Sequence, residues 1–198
     1  QQARYERYRS GPGVFKIDLV VDGEIPWKNS QVSQASTVHL GGSAAEIADV
    51  ERAVSQGLMP IKPFTLVTQQ AAADPTRAAG SLQPISAYAH VPNGYDGDVS
   101  FSILQQIERF APGARDRVLS IERTSPGDLA RDNENFAGGD ILTGAMTPAQ
   151  FLFGPNLGID PYYAGTPGVF LCSAAVPPGP GVHGMSGVLA ARRALKDL

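Results

Sequence analysis

The sequence predicts an α+β fold in which a mostly antiparallel sheet is flanked by helices. One observation behind this prediction is a set of short segments in which β-branched and other apolar residues alternate or cluster. Another is a set of helix-length segments that repeat apolar residues every three or four positions after a polar capping residue. The chain has 198 residues, with 22 glycines and 16 prolines, so we expect a folded, loop-rich protein with a substantial core.

The strands are predicted from local composition and turn signals. Residues 14–21 read VFKIDLVV and end at Asp22-Gly23, a dipeptide typical of tight turns. Further segments of strand length cover residues 35–40, 64–70, 85–91, 117–123 and 168–174. Together these segments suggest a mostly antiparallel sheet, and the last one is apolar enough to predict a buried strand that includes Cys172.

The clearest helix begins at the capping box Ser43 to Glu46 and ends at Gly57. Its predicted apolar face consists of Ile47, Val50, Val54 and Leu58. A second helix carries Val99, Ile103, Ile107 and Phe110 on one face and stops at Pro112-Gly113.

Three more helices are predicted in the second half of the chain. Residues 125–128 and 147–150 both place a hydroxyl at the cap and proline at the first helical position. A closing helix is predicted from the apolar pattern of Met185, Val188, Leu189 and Leu195.

Composition excludes several classes of function. The net charge is −3 and basic residues form no run, so a nucleic-acid partner is not expected. The apolar runs are too short for a membrane-spanning helix. A single cysteine and three scattered histidines predict neither an intrachain disulfide nor a metal site, and a reducing, cytoplasmic setting fits best.

The segment most suggestive of chemistry is residues 179–184, which read GPGVHG and match the pattern G-x-G-x-x-G. The pattern follows a predicted strand and opens a predicted helix, as a phosphate-binding turn requires. The sequence ends at Leu198, before the second strand of a dinucleotide-binding unit, so we do not expect a complete unit of this kind here. The alternative is that these glycines only turn the chain between a strand and a surface helix.

A longer stretch resembles a known family. Residues 168–174 (GVFLCSA) and 177–187 (PPGPGVHGMSG) are similar to the C-terminal signature of phytoene-desaturase-like flavoproteins. Residues 108–113, 125–129, 138–141 and 144–147 also resemble this family, in its order. The resemblance implies that residues 1–165 belong to a substrate-binding domain, and that residues 166–198 supply the last strand and helix of an FAD-binding domain whose N-terminal part is missing.

The resemblance also implies a cofactor site. Ser173 and Ala174 would lie near the ribityl chain of FAD, and the residues at the pyrimidine edge of the flavin would be Gly181, Val182, His183, Gly184 and Met185. The sequence departs from the family pattern at Pro180, where a third glycine is expected, and at Ser186, where cysteine is common. FAD is expected in the complete protein, whereas tight binding by this chain alone is not. No catalytic residue is assigned.

Three residues are candidates for contact with substrate. Phe151 and Phe153 could line an apolar tunnel, although aromatic residues just inside a capped helix are more often part of a core. His90 alternates with apolar residues and could point into a cavity, although a hydrogen-bonded histidine on the outer sheet face is the more common arrangement. His183 could equally be a helix cap rather than a residue that faces the flavin.

The function that the resemblance implies is the C-terminal part of an FAD-dependent oxidoreductase that dehydrogenates an apolar small molecule by hydride transfer to flavin. Amine oxidases belong to the same superfamily, but Pro177-Pro178 and residues 182–185 favour the desaturase-like branch. The chain alone would be inactive, and its partner would be the missing FAD domain or a complementary subunit. Membrane contact is left open. The alternative is a non-catalytic binding or assembly domain that docks a partner protein.

Overall fold

The computed structural model describes residues 2–197, and it contains a five-stranded antiparallel sheet. The strands in chain order are β1 (Gly13–Asp22), β2 (Thr37–Leu40), β3 (Thr65–Gln69), β4 (Leu82–Val91) and β5 (Val118–Thr124). Their order across the sheet is β2-β3-β4-β1-β5. The α+β prediction is therefore confirmed, and so are the first five strands.

β1 and β4 form the centre of the sheet because both are ten residues long and pair along their whole length, from Gly13 opposite Val91 to Asp22 opposite Leu82. β5 pairs with the other side of β1, with a register shift between Val20 and Val21. Successive strand side chains point to opposite faces, so one face of β1 buries Ile17, Leu19 and Val21. This face forms the core of the protein.

The helices are α1 (Gln2–Tyr5), α2 (Ala44–Ser55), α3 (Gln70–Ala73), α4 (Ser100–Phe110), α5 (Pro126–Asp132), α6 (Pro148–Phe153) and α7 (Met185–Ala194). α4 places Ile103 and Ile107 in the core, as its apolar spacing predicts. α2 likewise buries Val50 and Val54, but Leu58 is 60% exposed because it lies beyond the end of the helix. None of the helices within residues 2–197 is both long and apolar enough to cross a bilayer.

The predicted capping boxes differ in how fully they form. α5 has both halves, because Ser125 Oγ accepts from the Asp128 amide while the Asp128 carboxylate accepts from the Ser125 amide. α2 has only the first half, since Ser43 accepts from the Glu46 amide. The Glu46 carboxylate instead accepts two hydrogen bonds from Arg109 of α4, at 2.5 and 3.1 Å. This ion pair joins the two helices.

The N-terminal residues fasten the second half of the chain to the sheet. Asp140 is 2% exposed, and its carboxylate accepts from the amides of Gly11 (2.6 Å), Leu142 (2.9 Å) and Gly144 (2.7 Å). Gln150 of α6 bonds the amide and the carbonyl of Arg9, at 2.9 and 3.0 Å. These contacts bring α6 and the segments that follow it to one end of the central strands.

The strand predicted for the C-terminal part is wrong, whereas the closing helix is confirmed. Residues 168–174 form no strand and make a single antiparallel bridge within the described part of the chain, between Phe170 and Tyr163. Two backbone hydrogen bonds flank it, from the Leu171 amide to the Tyr162 carbonyl and from the Ala164 amide to the Val169 carbonyl. The five-stranded sheet does not extend to this segment, so no neighbouring strand accepts its backbone hydrogen bonds, and Cys172 is exposed rather than buried. The closing helix predicted from the apolar pattern of Met185, Val188, Leu189 and Leu195 forms as α7, with Leu189 half-buried and the other three exposed, while Ser186 and Ala190 are buried.

Candidate cofactor site

The residues that the sequence assigns to a cofactor lie together around one small pocket. The pocket has a volume of about 120 Å³ and is open to solvent. Its lining includes six of the seven predicted residues, namely Ser173, Ala174, Gly181, His183, Gly184 and Met185. The seventh, Val182, is fully exposed and lies outside the lining. The structure therefore brings together residues that are up to twelve positions apart in the sequence.

The first turn of α7 forms one wall of the pocket. Gly184 precedes the helix with φ of 62°, a left-handed conformation that glycine adopts without strain. The imidazole Nδ1 of His183 accepts a hydrogen bond from the Met185 amide at 3.0 Å, so His183 caps the helix. The next two amides, those of Ser186 and Gly187, have no acceptor in the described part of the chain. The pocket wall thus presents backbone N–H groups and the positive end of a helix.

Two glycines leave open space at this wall because they have no side chain. Apart from the adjacent residues and the backbone of α7 itself, no described atom lies within 4 Å of the positions that a Cβ would take on Gly184 and Gly187. A flat ligand edge could therefore approach the backbone at both residues. Gly181 differs, because a Cβ there would lie 2.6 Å from Cδ2 of His183. The imidazole covers Gly181, and the cap that His183 makes depends on glycine at that position.

The opposite wall is a tight turn over residues 173–180. The Ser173 hydroxyl accepts from the Ala175 amide at 3.1 Å, and the Gly179 amide donates to the Val176 carbonyl at 3.0 Å. The Tyr162 hydroxyl donates to the Pro177 carbonyl at 3.1 Å from outside the turn. Burial raises the pKa of Tyr162, with a smaller contribution from the nearby Asp160 carboxylate, so the phenol keeps the proton that it donates here.

α7 is held in place by small and charged residues. The Ser186 hydroxyl donates to the Val176 carbonyl at 3.2 Å, and Ala190 is 3% exposed. Arg193 forms ion pairs with Asp197 and Asp160, whose hydrogen bonds raise its pKa, and its guanidinium lies 5.6 Å from the ring centre of Phe170. These contacts fix which face of α7 points away from the protein.

The three substrate candidates lie in two places. Phe151 contacts the turn, with ring atoms 3.2 and 3.6 Å from the position of a Gly179 Cβ, and it remains 43% exposed. Phe153 is 44% exposed at the end of α6. His90 lies on β4, where its Nδ1 is 3.0 Å from both carboxylate oxygens of Glu51 and its ring packs near Phe64 and Tyr88.

Sequence reasoning missed two groups of residues at or near the site. The backbones of Ser186 and Gly187 belong to the pocket, and the signal that could have found them is that they follow the glycine cap, Gly184, by two and three residues. Gln150 lies outside the lining of the pocket, is 8% exposed and orients α6 through its bonds to Arg9. The local cap pattern places Gln150 in the first turn of α6 but does not indicate this contact, because Arg9 lies 141 residues away.

Comparison with known proteins gives weak but specific similarities. No protein-family model matches the chain. A mouse (Mus musculus) protein named pyridine nucleotide-disulfide oxidoreductase domain-containing protein 2 is 29% identical over 154 residues, which cover 72% of this chain and 26% of the mouse protein. The rat (Rattus norvegicus) protein of the same name is 37% identical over 93 residues, which cover 46% of this chain and 16% of the rat protein. The chain thus spans about a quarter or less of the length of these curated relatives.

Proposed function

We propose that this chain is the C-terminal part of a flavin-dependent oxidoreductase, and that the pocket at the start of α7 holds one edge of FAD. The observation that carries the proposal is the convergence of six predicted cofactor residues on one pocket beside unpaired helix amides. The names of the mouse and rat proteins support an oxidoreductase of this broad type. The division into a substrate domain, residues 1–165, and a flavin-domain segment, residues 166–198, is part of the same proposal.

The residues present fit an edge of the cofactor and not the whole of it. A site that encloses a small-molecule ligand usually measures about 300–1,000 Å³, whereas this pocket measures about 120 Å³. Gly184 and Gly187 leave open space beside the backbone, as a flat ring edge needs. The remaining surface of FAD would therefore be covered by the missing FAD domain or by a complementary subunit.

The chain's own groups would act mainly by binding and by electrostatics. The Ser186 and Gly187 amides and the N-terminal end of α7 favour negative charge at the pocket wall. His183 orients this wall by capping the Met185 amide, and Ser173 shapes the opposite wall through the Ala175 amide. A bound flavin would supply the redox chemistry by accepting a hydride from the substrate, and negative charge on the reduced ring would meet these donors.

The substrate in this proposal is an apolar molecule, as in the phytoene-desaturase-like branch. Phe151 contacts Gly179 beside the turn and keeps an exposed ring face, so it could contact both the flavin region and an apolar chain. Phe153 extends this aromatic surface along α6. The chain has one cysteine, Cys172, so it supplies no dithiol pair of its own for electron transfer.

The test compares two purified proteins. One is the 198-residue chain. The other, called the extended protein below, is expressed from a longer stretch of the gene and carries the upstream-encoded residues in front of this chain. Flavin is released from each by denaturation and quantified by chromatography and fluorescence. We expect stoichiometric FAD in the extended protein and little in the short chain. Absence of flavin from both proteins would refute the proposal. Stoichiometric flavin in the 198-residue chain would refute the statement that this chain holds only one edge of the cofactor.

A second candidate function is a non-catalytic binding or assembly domain. The exposed apolar residues of α7 favour it, because a surface of this kind usually contacts another protein. Flavin content distinguishes the two candidate functions. If the chain is an assembly domain, it should bind a stable partner protein, and neither the 198-residue chain nor the extended protein should contain flavin.

A further inference from the structure

The sheet ends in an open strand. β5 is the outermost strand beside β1, and it pairs with β1 alone. In the part of the chain that the structure describes, no backbone amide or carbonyl of residues 119–124 bonds a group outside β1. About half of the backbone groups in an antiparallel edge strand point away from the neighbouring strand. β5 therefore presents a row of unused hydrogen-bond donors and acceptors.

A groove runs along this open edge, between β5 and α4. It measures about 590 Å³, and its lining includes four consecutive strand residues, 118–121. Successive strand residues point to opposite faces, so a groove that touches all four follows the edge of the sheet. Leu104 of α4 and Ile121 form its apolar wall, together with Leu119, which has no partner on β1 and is 61% exposed. We call this hollow the β5 groove.

The β5 groove continues into a cationic end. Arg115 lines the groove and also a second hollow of about 370 Å³, which Lys62 and Arg109 line as well. We call Lys62, Arg109 and Arg115 the cationic end. Arg109 is paired with Glu46, whereas neither Lys62 nor Arg115 has a carboxylate within 4 Å among residues 2–197. Two cations therefore remain available to a ligand.

The carboxylates nearby leave this positive charge in place. The oxygens of Glu108 accept from the amides of Gly113 at 2.6 Å and Arg115 at 3.1 Å, and these bonds lower the pKa of Glu108. Asp116 lines the β5 groove but not the second hollow. The second hollow is thus lined by three cations and one engaged carboxylate, although the chain as a whole has a net charge of −3.

The three features together favour an extended peptide as the occupant. Apolar exposure alone would not identify one, because Phe151 on α6 and Val188 on α7 are also 43% exposed. An extended peptide pairs its backbone with an open edge while alternate side chains enter the groove beside it. A helix or a hydrocarbon chain would leave the β5 donors unpaired. The cationic end adds a requirement for carboxylates on the peptide.

A second copy of β5 satisfies this requirement poorly. In a symmetric antiparallel pair centred on Ile121, residues 124–126 of the second copy would lie nearest to the cationic end. These residues are threonine, serine and proline, and none of them carries a charge. The complementary carboxylates must therefore come from a different sequence.

We propose that the β5 groove binds an extended acidic peptide of a partner protein, which adds a strand to the five-stranded sheet. An apolar side chain of the peptide packs against Leu104, and its carboxylates meet Lys62 and Arg115. Arg115 precedes β5, so an antiparallel strand brings its C-terminal end to these cations. The groove and its cationic end share no residue with the cofactor pocket, and this inference does not rest on the proposed function.

The test measures peptide binding to the extended protein by fluorescence anisotropy. The probe is a fluorescein-labelled peptide, slightly longer than the seven-residue β5, that alternates valine and threonine and ends in two C-terminal glutamates. Replacing both glutamates by lysine should weaken binding about tenfold, because attraction at the cationic end becomes repulsion. A proline in the middle of the peptide should also weaken binding about tenfold, because proline has no amide donor for the edge.

Two further measurements locate the peptide on the protein. Arg115→Glu should weaken binding of the glutamate peptide about tenfold. Arg52→Glu is the matched control on the exposed side of α2 and should leave the affinity unchanged. Hydrogen exchange should slow for amides within residues 119–124 when the peptide binds, and should not change for β2 at the other edge of the sheet.

Several results would overturn the inference. Absence of binding, or equal binding of the glutamate and lysine peptides, would show that the groove does not select an acidic strand. Binding without slower exchange in residues 119–124 would exclude strand addition. Amides that are already protected without peptide would assign the edge to the upstream-encoded residues if protection is confined to the extended protein, or to a second copy if protection rises with protein concentration. Flavin enters none of these readouts, so the inference and the proposed function fail separately.

Discussion

Replacing Gly187 by alanine tests the cofactor pocket through two independent measurements. Gly187 is the third residue of α7, and open space surrounds the position of its missing Cβ. Alanine is favoured over glycine inside a helix by about 0.5–1 kcal/mol, because glycine loses more backbone entropy on folding. We therefore expect Gly187→Ala to raise the free energy of unfolding of the 198-residue chain by this amount.

The change in stability is large enough to measure. In a protein of this size 1 kcal/mol corresponds to about 2–4 °C in Tm, so calorimetry should show a rise of roughly 1–4 °C. Gly127→Ala is the matched control, because Gly127 lies in the first turn of α5 and a Cβ there meets atoms only at 3.7 and 3.8 Å. Both variants should stabilise the chain to a similar extent.

The second measurement separates the two glycines. A methyl group on Gly187 fills the space beside the Ser186 and Gly187 amides, where the flavin edge is proposed to lie. We expect Gly187→Ala to weaken flavin binding by the extended protein about tenfold, which is about 1.4 kcal/mol, and Gly127→Ala to leave it unchanged. Titration of the apoprotein with FAD, followed by flavin fluorescence, gives both dissociation constants.

Two results would refute this reasoning. A fall in Tm for Gly187→Ala would mean that the space beside Gly187 is not open. An unchanged flavin dissociation constant, with the expected rise in Tm, would mean that the flavin does not lie against the first turn of α7.

Two further predictions concern the contacts that assemble the fold. The Oδ2 atom of Asp140 accepts from the amides of Gly11 and Gly144, and its Oδ1 atom accepts from the amide of Leu142. Asp140→Asn replaces one of these acceptors with an NH₂ group that faces another donor, so urea unfolding should show a loss of about 1.5–3 kcal/mol. The exposed Asp132→Asn should stay within about 0.5 kcal/mol of the parent, and equal effects of the two would contradict the role of Asp140. The hydrogen bonds from Arg109 lower the pKa of Glu46, so this carboxylate stabilises the folded chain above its unfolded pKa and loses that contribution as the pH falls through its lower folded value. Glu46→Gln should therefore flatten the decline in stability below about pH 5, and a decline as steep as that of the parent would show that the ion pair does not contribute.

Local sequence patterns were sufficient for most of the secondary structure. β1 follows from the alternation in VFKIDLVV, and α4 from the spacing of Ile103 and Ile107, because period and propensity act over a few neighbouring residues. The hydroxyl caps at Ser43, Ser125 and Thr147 were predicted for the same reason. The residues of the cofactor pocket were named from the family resemblance of two separate segments, 173–174 and 181–185, and the turn between these segments brings them to one pocket.

Tertiary structure decided which side chains pair and which faces are covered. The Glu46 carboxylate bonds Arg109, 63 residues away, a partner that the local capping pattern does not indicate. Asp140 binds Gly11 across 129 residues, a contact that no local pattern encodes. The apolar spacing in α7 predicted the helix, but which face is buried depends on a neighbour, and the described chain packs Ser186 and Ala190 inward. The sequence by itself determined the periodicity of each element, whereas only the three-dimensional arrangement determined the partner that each periodic face meets.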